Sequence, residues 1–269
     1  MAIPNLPSST SHSLEAEGES KMSFLEHLVE LRKRLLYSAV AIGAGMVLGF
    51  FVAERVYNLI AQPMLKALGE AHLTQKLYYS SPTGVINLLI TIGLYLGVVI
   101  ASPVVLYQIW LFIAPGLYKH ERRAVVVFIF SGTFLFLSGI AFGYFVMLPY
   151  VLKFLIGFTG PFQPLISVND YFDFILVVML GLGLVFEMPV LIFFLSLFGI
   201  VTPKFLWKNI RYAILIITII AAVVTPTPDA TTMLVFMAPM VLLYFIGIGV
   251  SYMVQRRRLR DLAAGEGTT

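Results

Sequence analysis

The chain has 269 residues, 59% of them hydrophobic and 12% charged, against roughly 25% charged in a soluble domain. So few charges cannot cover a water-soluble fold of this size, and the apolar residues fall in blocks of about 15 to 30, the length scale of a hydrocarbon core. The net charge of +4 does not point to nucleic acid, because the basic residues stand at the ends of apolar blocks and form no continuous stripe. The absence of cysteine excludes disulfides, thiolate metal sites and cysteine nucleophiles.

Residues 1–21 are rich in Ser, Pro and Glu and carry no apolar run, so they are expected to be a disordered cytoplasmic extension rather than a secretory signal. Ser23 followed by Glu26 is a capping box that predicts a helix start. Phe24, Leu28, Leu31 and Leu35 share one helical stripe, so this helix is expected to lie in the membrane interface before the chain turns into its first span. Glu26, Glu30 and Lys33 project from the other side. Glu30 precedes Arg34 by four residues, the favourable order for a surface ion pair of a few tenths of a kcal/mol. Spacing alone leaves open whether Glu30 does more than that.

Six apolar blocks follow, at about 35–53, 84–113, 124–158, 172–200, 212–224 and 231–254. The connection after the first, about 30 residues long, contains an apolar turn at 59–68 interrupted by Pro63 and is expected to fold as a cap. In the second connection Glu121 is the one acid beside Lys119, His120, Arg122 and Arg123, and its place before the third span suits a helix dipole. Pro149 is expected to end the spanning part of the third block. The fifth block is short: 15 residues from Arg211 to Thr225 reach about 22 Å, less than a core of about 30 Å. Either polar ends complete that span or the bilayer thins around it.

Pro103, Pro189 and Pro239 stand inside apolar blocks and bend their helices, which allows a concave bundle, although membrane helices also carry such prolines without function. Glu187 lies deep in the fourth block, where an ionised carboxylate costs several kcal/mol unless it is paired or faces water. Pro189 cannot donate to the carbonyl of Val185, which leaves an acceptor within reach of Glu187. An intramembrane acid is a functional candidate, the plain alternative being a buried acid that only orders the bundle. Asp229, after Thr225 and the Pro226-Thr227-Pro228 turn, directly precedes the sixth block, and a helix N-cap accounts for it.

Fourteen of the 18 Lys and Arg residues fall at the two ends and in the second and fourth connections, which places both termini in the cytoplasm. The expected architecture is therefore all-α and polytopic: six transmembrane helices, cytoplasmic amino and carboxyl ends, and bent helices forming a concave bundle. The expected domains are the 1–21 extension, a membrane domain over 22–254 and a basic cytoplasmic tail over 255–269. The chain lacks G-x-x-x-x-G-K-[ST], G-x-S-x-G and H-E-x-x-H, and its four histidines have no ligand spacing. No catalytic residue, metal or cofactor is expected.

Four stretches carry a resemblance: His27 through Leu35; Tyr107 through Tyr118, continuing to Arg123; Phe186-Glu187-Met188-Pro189-Val190; and the Thr-Pro/Asp segment before the last block. In this order and spacing, from about 24 to 254, the chain resembles the TatC family, the largest core subunit of the twin-arginine protein translocase. The resemblance implies a receptor in the cytoplasmic (inner) membrane for twin-arginine signal peptides on folded precursors, with transport driven by the proton-motive force. It implies that Glu30 and Glu121 supply carboxylates to the two arginines, with Leu31, Arg32, Phe112 and Pro63 among the signal-peptide positions. It marks Glu187 and Pro189 as intramembrane functional positions. Thr225, Asp229 and Met233 fall in a turn or docking region for single-span TatA- and TatB-type partners, and a homo-oligomer is implied in the receptor complex. Two features depart from the family pattern: Thr227 separates Pro226 from Pro228, and Met233 stands where many members carry Gln. The competing reading is a proton-coupled small-solute carrier using Glu187; no internal repeat of the kind carriers show is legible.

Overall fold

The computed structural model describes the backbone of residues 9–113, 122–157, 164–225 and 229–266, and the side chains of 27–112, 129–157, 164–225 and 229–256. Glu121 and Thr227 therefore lie outside the described residues.

Helix α1 (Ser9–Glu70) is continuous over 62 residues. The helix start expected at Ser23 and the turn expected before the first span are both absent, and the segment expected to be disordered is helical from Ser9 on. Leu14, Glu15, Ala16, Glu17, Lys21 and Met22 are good helix formers and no proline lies between Pro7 and Ser23, so nothing upstream of the capping box stops the helix. Its apolar run His27–Glu70 has 44 residues, about 66 Å of helix, so α1 stands well clear of a core of about 30 Å. The expected cap at 59–68 is thus the end of α1 itself.

Next come α2 (Gly84–Ile113), α3 (Arg122–Phe142), a π-helical turn at Gly143–Met147 and α4 (Leu148–Gly157). Pro149 does not end this span; the helix passes it and runs to Gly157. A proline ring clashes with the carbonyl four residues back, and the wider π turn sits at that place, with Leu148 N–H bonded to Gly143 O five residues earlier. The fourth block divides at Glu187 into α5 (Val168–Phe186) and α6 (Met188–Leu197). Helix α7 (Pro203–Lys208) is capped by Thr202 Oγ1, which accepts from Phe205 N–H at 3.2 Å. Helix α8 (Ile210–Val224) is the short fifth block, and α9 (Ala230–Glu266) carries the sixth and continues through most of the expected basic tail. Five runs are long and apolar enough to cross a membrane: in α1, in α2, from Ile129 to Gly157, from Val168 to Leu197, and in α9. Helix α8, with 15 residues, is shorter.

In hydrocarbon a proline must not leave its i−4 carbonyl bare. Pro63 frees Leu59 O, which accepts from Tyr144 Oη–H at 2.9 Å. Pro103 frees Val99 O, which accepts from Ser102 Oγ–H at 2.8 Å. Pro189 frees Val185 O, and the backbone N–H of Glu187 donates to it. That N–H is shared with Leu184 O, which it reaches at 3.1 Å, so Val185 O keeps acceptor capacity. Tyr144→Phe is expected to lower stability by about 1–2 kcal/mol by orphaning Leu59 O, measured as earlier thermal unfolding in detergent.

Helices α1 and α2 meet through glycines spaced four apart on each, Gly45 and Gly49 against Gly93 and Gly97. A Cβ added at Gly97 would lie 2.7 Å from Met46 N, and one at Gly45 2.7 Å from Gly97 O. Small residues at this spacing let membrane helices approach backbone to backbone. Gly139 of α3 does the same against Leu182 O of α5, at 2.6 Å. At the end where α1 finishes, called here the far end, a parallel bridge joins the two far-end connections, with Tyr78 N–H to Ile166 O at 3.0 Å and Val168 N–H to Tyr78 O at 2.7 Å. Beneath it Ile60, Leu68, Leu152 and Phe172 form a core, and buried Tyr171 donates to Ile60 O at 2.7 Å. A second core joins Leu182, Ile192, Ile217, Phe236 and Met240, and there Ser196 Oγ–H bonds Ser251 Oγ at 2.7 Å between α6 and α9.

Candidate functional site

At the near end, one face of α1 meets the last turns of α2. The same stripe that brings Gly45 and Gly49 against α2 passes through Ser38, Arg34 and Glu30 at steps of about one or two turns. Arg34 Nη2–H donates to Glu30 Oε1 at 3.0 Å, and Nη1–H to Gln108 Oε1 at 3.3 Å, 74 residues away on α2. The Glu30 and Arg34 side chains keep 29% and 23% of their exposure, so the pair is partly shielded and still reachable. One turn earlier the His27 ring stacks on Phe112, centroids 4.3 Å apart and planes 20° apart. Gln108 and Phe112 are four residues apart on α2, as Glu30 and Arg34 are on α1, so two i,i+4 pairs face each other. Leu28, Leu31 and Leu35 turn away and are exposed, as is Arg32. This is the arrangement of an apolar stripe toward lipid and a polar stripe toward the protein.

Of the residues expected at the signal-peptide site, the structure brings Glu30 and Phe112 into one cluster. Pro63 follows Glu30 by 33 residues of α1, about 50 Å away at 1.5 Å per residue. It lines instead a far-end cavity of about 490 Å³ with Lys66, Glu70, Tyr144 and Lys153. The ion pair expected from the spacing of Glu30 and Arg34 is present. Gln108 and His27, which the sequence did not single out, complete the cluster; an amide among apolar residues at a helix end was the available signal for Gln108.

Glu187 closes α5 with φ −74° and ψ −9°, and its carbonyl accepts from Leu191 N–H at 2.9 Å, so α6 starts almost without a gap. Oε1 of its carboxylate is buried with no hydrogen-bond partner among the described residues, as is Thr133 Oγ1. Gly132 makes room for it: a Cβ there would lie 3.3 and 3.5 Å from the two carboxylate oxygens. The carboxylate faces a groove of about 290 Å³ whose other walls, including Ile42, Leu106, Phe136 and Leu191, are almost all apolar. Pro189 is buried beside it. Beyond α8, buried Thr225 Oγ1–H donates to Ala221 O at 2.8 Å. Asp229 Oδ2 accepts from Thr232 N–H at 2.6 Å, the N-cap bond expected of it. Met233 is half-buried in the second core.

A family model described as Sec-independent protein translocase protein (TatC) matches residues 26–239, a range that holds the Glu30 cluster and Glu187. The chain belongs to the TatC family. A Sec-independent protein translocase protein TatC of Koribacter versatilis is 47% identical over 99% of this chain and 100% of its own length. The TatC of Aquifex aeolicus is 38% identical over 88% of this chain and 98% of its own. Among solved structures, a twin-arginine translocase receptor, TatC, superposes with a TM-score of 0.75 at 39% identity, covering 85% of this chain and 99% of that one. The family is one of membrane translocase subunits, and its fold is this multi-pass helical one.

Proposed function

We propose that this chain is the signal-peptide receptor and core membrane subunit of a twin-arginine translocase that exports folded proteins with the proton-motive force. The observation that carries the reading is the near-end carboxylate of Glu30, which already holds a guanidinium at 3.0 Å and remains partly exposed. A guanidinium presents a planar fork that an ammonium cannot copy, so carboxylates at this place select arginine over lysine. Likeness to translocase proteins in sequence, and to a twin-arginine translocase receptor in fold, supports the same reading.

In the full proposal the chain crosses an inner membrane six times, α8 included, with the near end and both termini in the cytoplasm, as the Lys and Arg bias favours. Glu121 supplies the second carboxylate, with Leu31, Arg32 and Phe112 around the peptide and Pro63 shaping the far end. Glu187 and Pro189 act inside the membrane. TatA- and TatB-type single-span subunits dock near Thr225, Asp229 and Met233, and copies of the chain associate in the receptor complex.

The test is the affinity of the detergent-solubilised protein for a fluorescent Arg-Arg signal peptide and its Lys-Lys twin. Glu30→Ala and Glu121→Ala are each expected to weaken Arg-Arg binding about 10-fold, the low end for a charged hydrogen bond because the site is partly solvated. Equal binding of the two peptides by every variant would end the receptor reading.

A further inference from the structure

The Glu30 carboxylate is occupied by this chain's own arginine. Resting on the receptor reading above, we propose that Arg34 is a resident guanidinium which fills the Glu30 half of the site until an arginine of the signal peptide displaces it. Arg34 thereby sets the affinity of the site.

The geometry has the features such a placeholder needs. Arg34 reaches Glu30 through a single short contact, Nη2 to Oε1 at 3.0 Å, so an incoming guanidinium that docks as a two-bond fork gains on exchange. The pair is an i,i+4 contact with both side chains partly exposed, a class of ion pair that holds weakly and exchanges readily. Once released, Arg34 still has a partner, because Nη1 already bonds Gln108 Oε1 on α2 at 3.3 Å. Its Nε is buried with no partner among the described residues, so the resting position does not satisfy the guanidinium fully. An ammonium, a compact and strongly hydrated charge, cannot dock as a fork and gains less from the freed carboxylate. Breaking the resident pair costs either peptide the same free energy, so Arg34 lowers both affinities by one factor and leaves the choice of arginine over lysine to the fork.

The consequence runs opposite to that of an ordinary binding residue: removing Arg34 tightens binding. Arg34→Gln keeps a polar partner for Gln108 and is expected to tighten binding of a Lys-Lys signal peptide and of its Arg-Arg twin by the same factor, about 2- to 5-fold, the range of a displaced partly exposed pair. The Arg-over-Lys preference stays as it is. In a Glu30→Ala background, Arg34→Gln is expected to change neither affinity. Lys33→Gln removes the same charge one residue away, where the ammonium lies 5.9 Å from the Tyr37 ring, and is expected to leave both affinities unchanged.

Binding is measured with the full chain in nanodiscs, and thermal unfolding checks that each variant is folded. Arg34→Lys serves as a second variant should Arg34→Gln unfold; it keeps the charge, cannot bridge Glu30 and Gln108 together and is expected to tighten both peptides by a smaller factor. Three results overturn the proposal: Arg34→Gln weakening both peptides, its gain persisting without Glu30, or Lys33→Gln reproducing it. If the wild-type protein shows no arginine preference and Glu30→Ala changes nothing, the receptor reading itself has failed. If that preference is present and depends on Glu30 while Arg34→Gln gives no gain, only the role of Arg34 falls.

Discussion

Gly97→Leu is expected to unfold the protein at a markedly lower temperature, whereas Gly43→Leu on the same pair of helices is expected to leave it unchanged or slightly more stable. A Cβ at Gly97 would sit 2.7 Å from Met46 N, 2.8 Å from Ile42 O and 3.0 Å from Met46 Cα. All three are backbone atoms of α1, so no side chain can rotate out of the way. The helices must separate, and with no water to drive apolar surfaces together, close packing is what holds them. Overpacking of this kind costs about 1–3 kcal/mol for a few added methylenes, and a leucine adds more bulk than that. Separation here also draws Arg34 away from Gln108, since both contacts lie along one stripe of α1. Around Gly43, by contrast, a Cβ would meet nothing within 4 Å, and replacing glycine removes a helix penalty of about 1 kcal/mol. Thermal unfolding in detergent measures both variants. Equal melting temperatures would show that the glycine contact does not hold α1 to α2.

The spans were legible because hydrocarbon imposes one rule on every crossing segment: a long apolar run with its backbone bonded internally. Over the described residues each of the six apolar blocks lies mostly in helix, five of them long enough to cross a membrane and the fifth shorter. Local capping chemistry was legible at Asp229, whose N-cap bond is present, and misleading at Ser23, where helix formers upstream carry α1 straight through. Proline was the main source of error. Pro63 and Pro149 each read as interruptions, and each is absorbed, the first by a hydroxyl 85 residues away on another helix and the second by a π turn. Neither rescue has a signature in the local sequence, because a carbonyl's substitute donor is chosen by the tertiary fold.

The candidate site divides in the same way. The contact of Glu30 with Arg34 follows from four-residue spacing and needs no fold. Its union with Gln108 and the stacking of His27 on Phe112 need α2 laid antiparallel against α1 in one register, which the glycines set. The signal-peptide role proposed for Glu30 came from the family motif, since helix spacing explains the residue equally well as an ordinary ion pair. Glu187 stood out from the start because an acid in an apolar run is costly. The backbone detail around it, with its own N–H shared between Leu184 O and Val185 O, depended on the break between α5 and α6.

That break makes Glu187 a place where stability and function are expected to part. Glu187→Leu is expected to unfold no earlier than the wild-type protein and to export no twin-arginine substrate, while Glu187→Lys is expected to lose stability by about 3 kcal/mol. The carboxylate Oε1 has no partner among the described residues, so leucine forfeits no bond there. An unpartnered buried polar atom costs about 1–3 kcal/mol, and an apolar group of similar shape is neutral or better. Leucine also suits a groove walled by Ile42, Leu106, Phe136 and Leu191, and Gly132 leaves it room. The turn itself stays, because Pro189 and the backbone N–H of residue 187 define it. Lysine places an ammonium against the same apolar walls with no acid among the residues lining the groove except the one it replaced. Unchanged melting together with lost export would support the intramembrane role proposed for Glu187. If Glu187→Leu instead melts several degrees early, the acid is a structural tie of the bundle, and its loss of export would follow from misfolding alone.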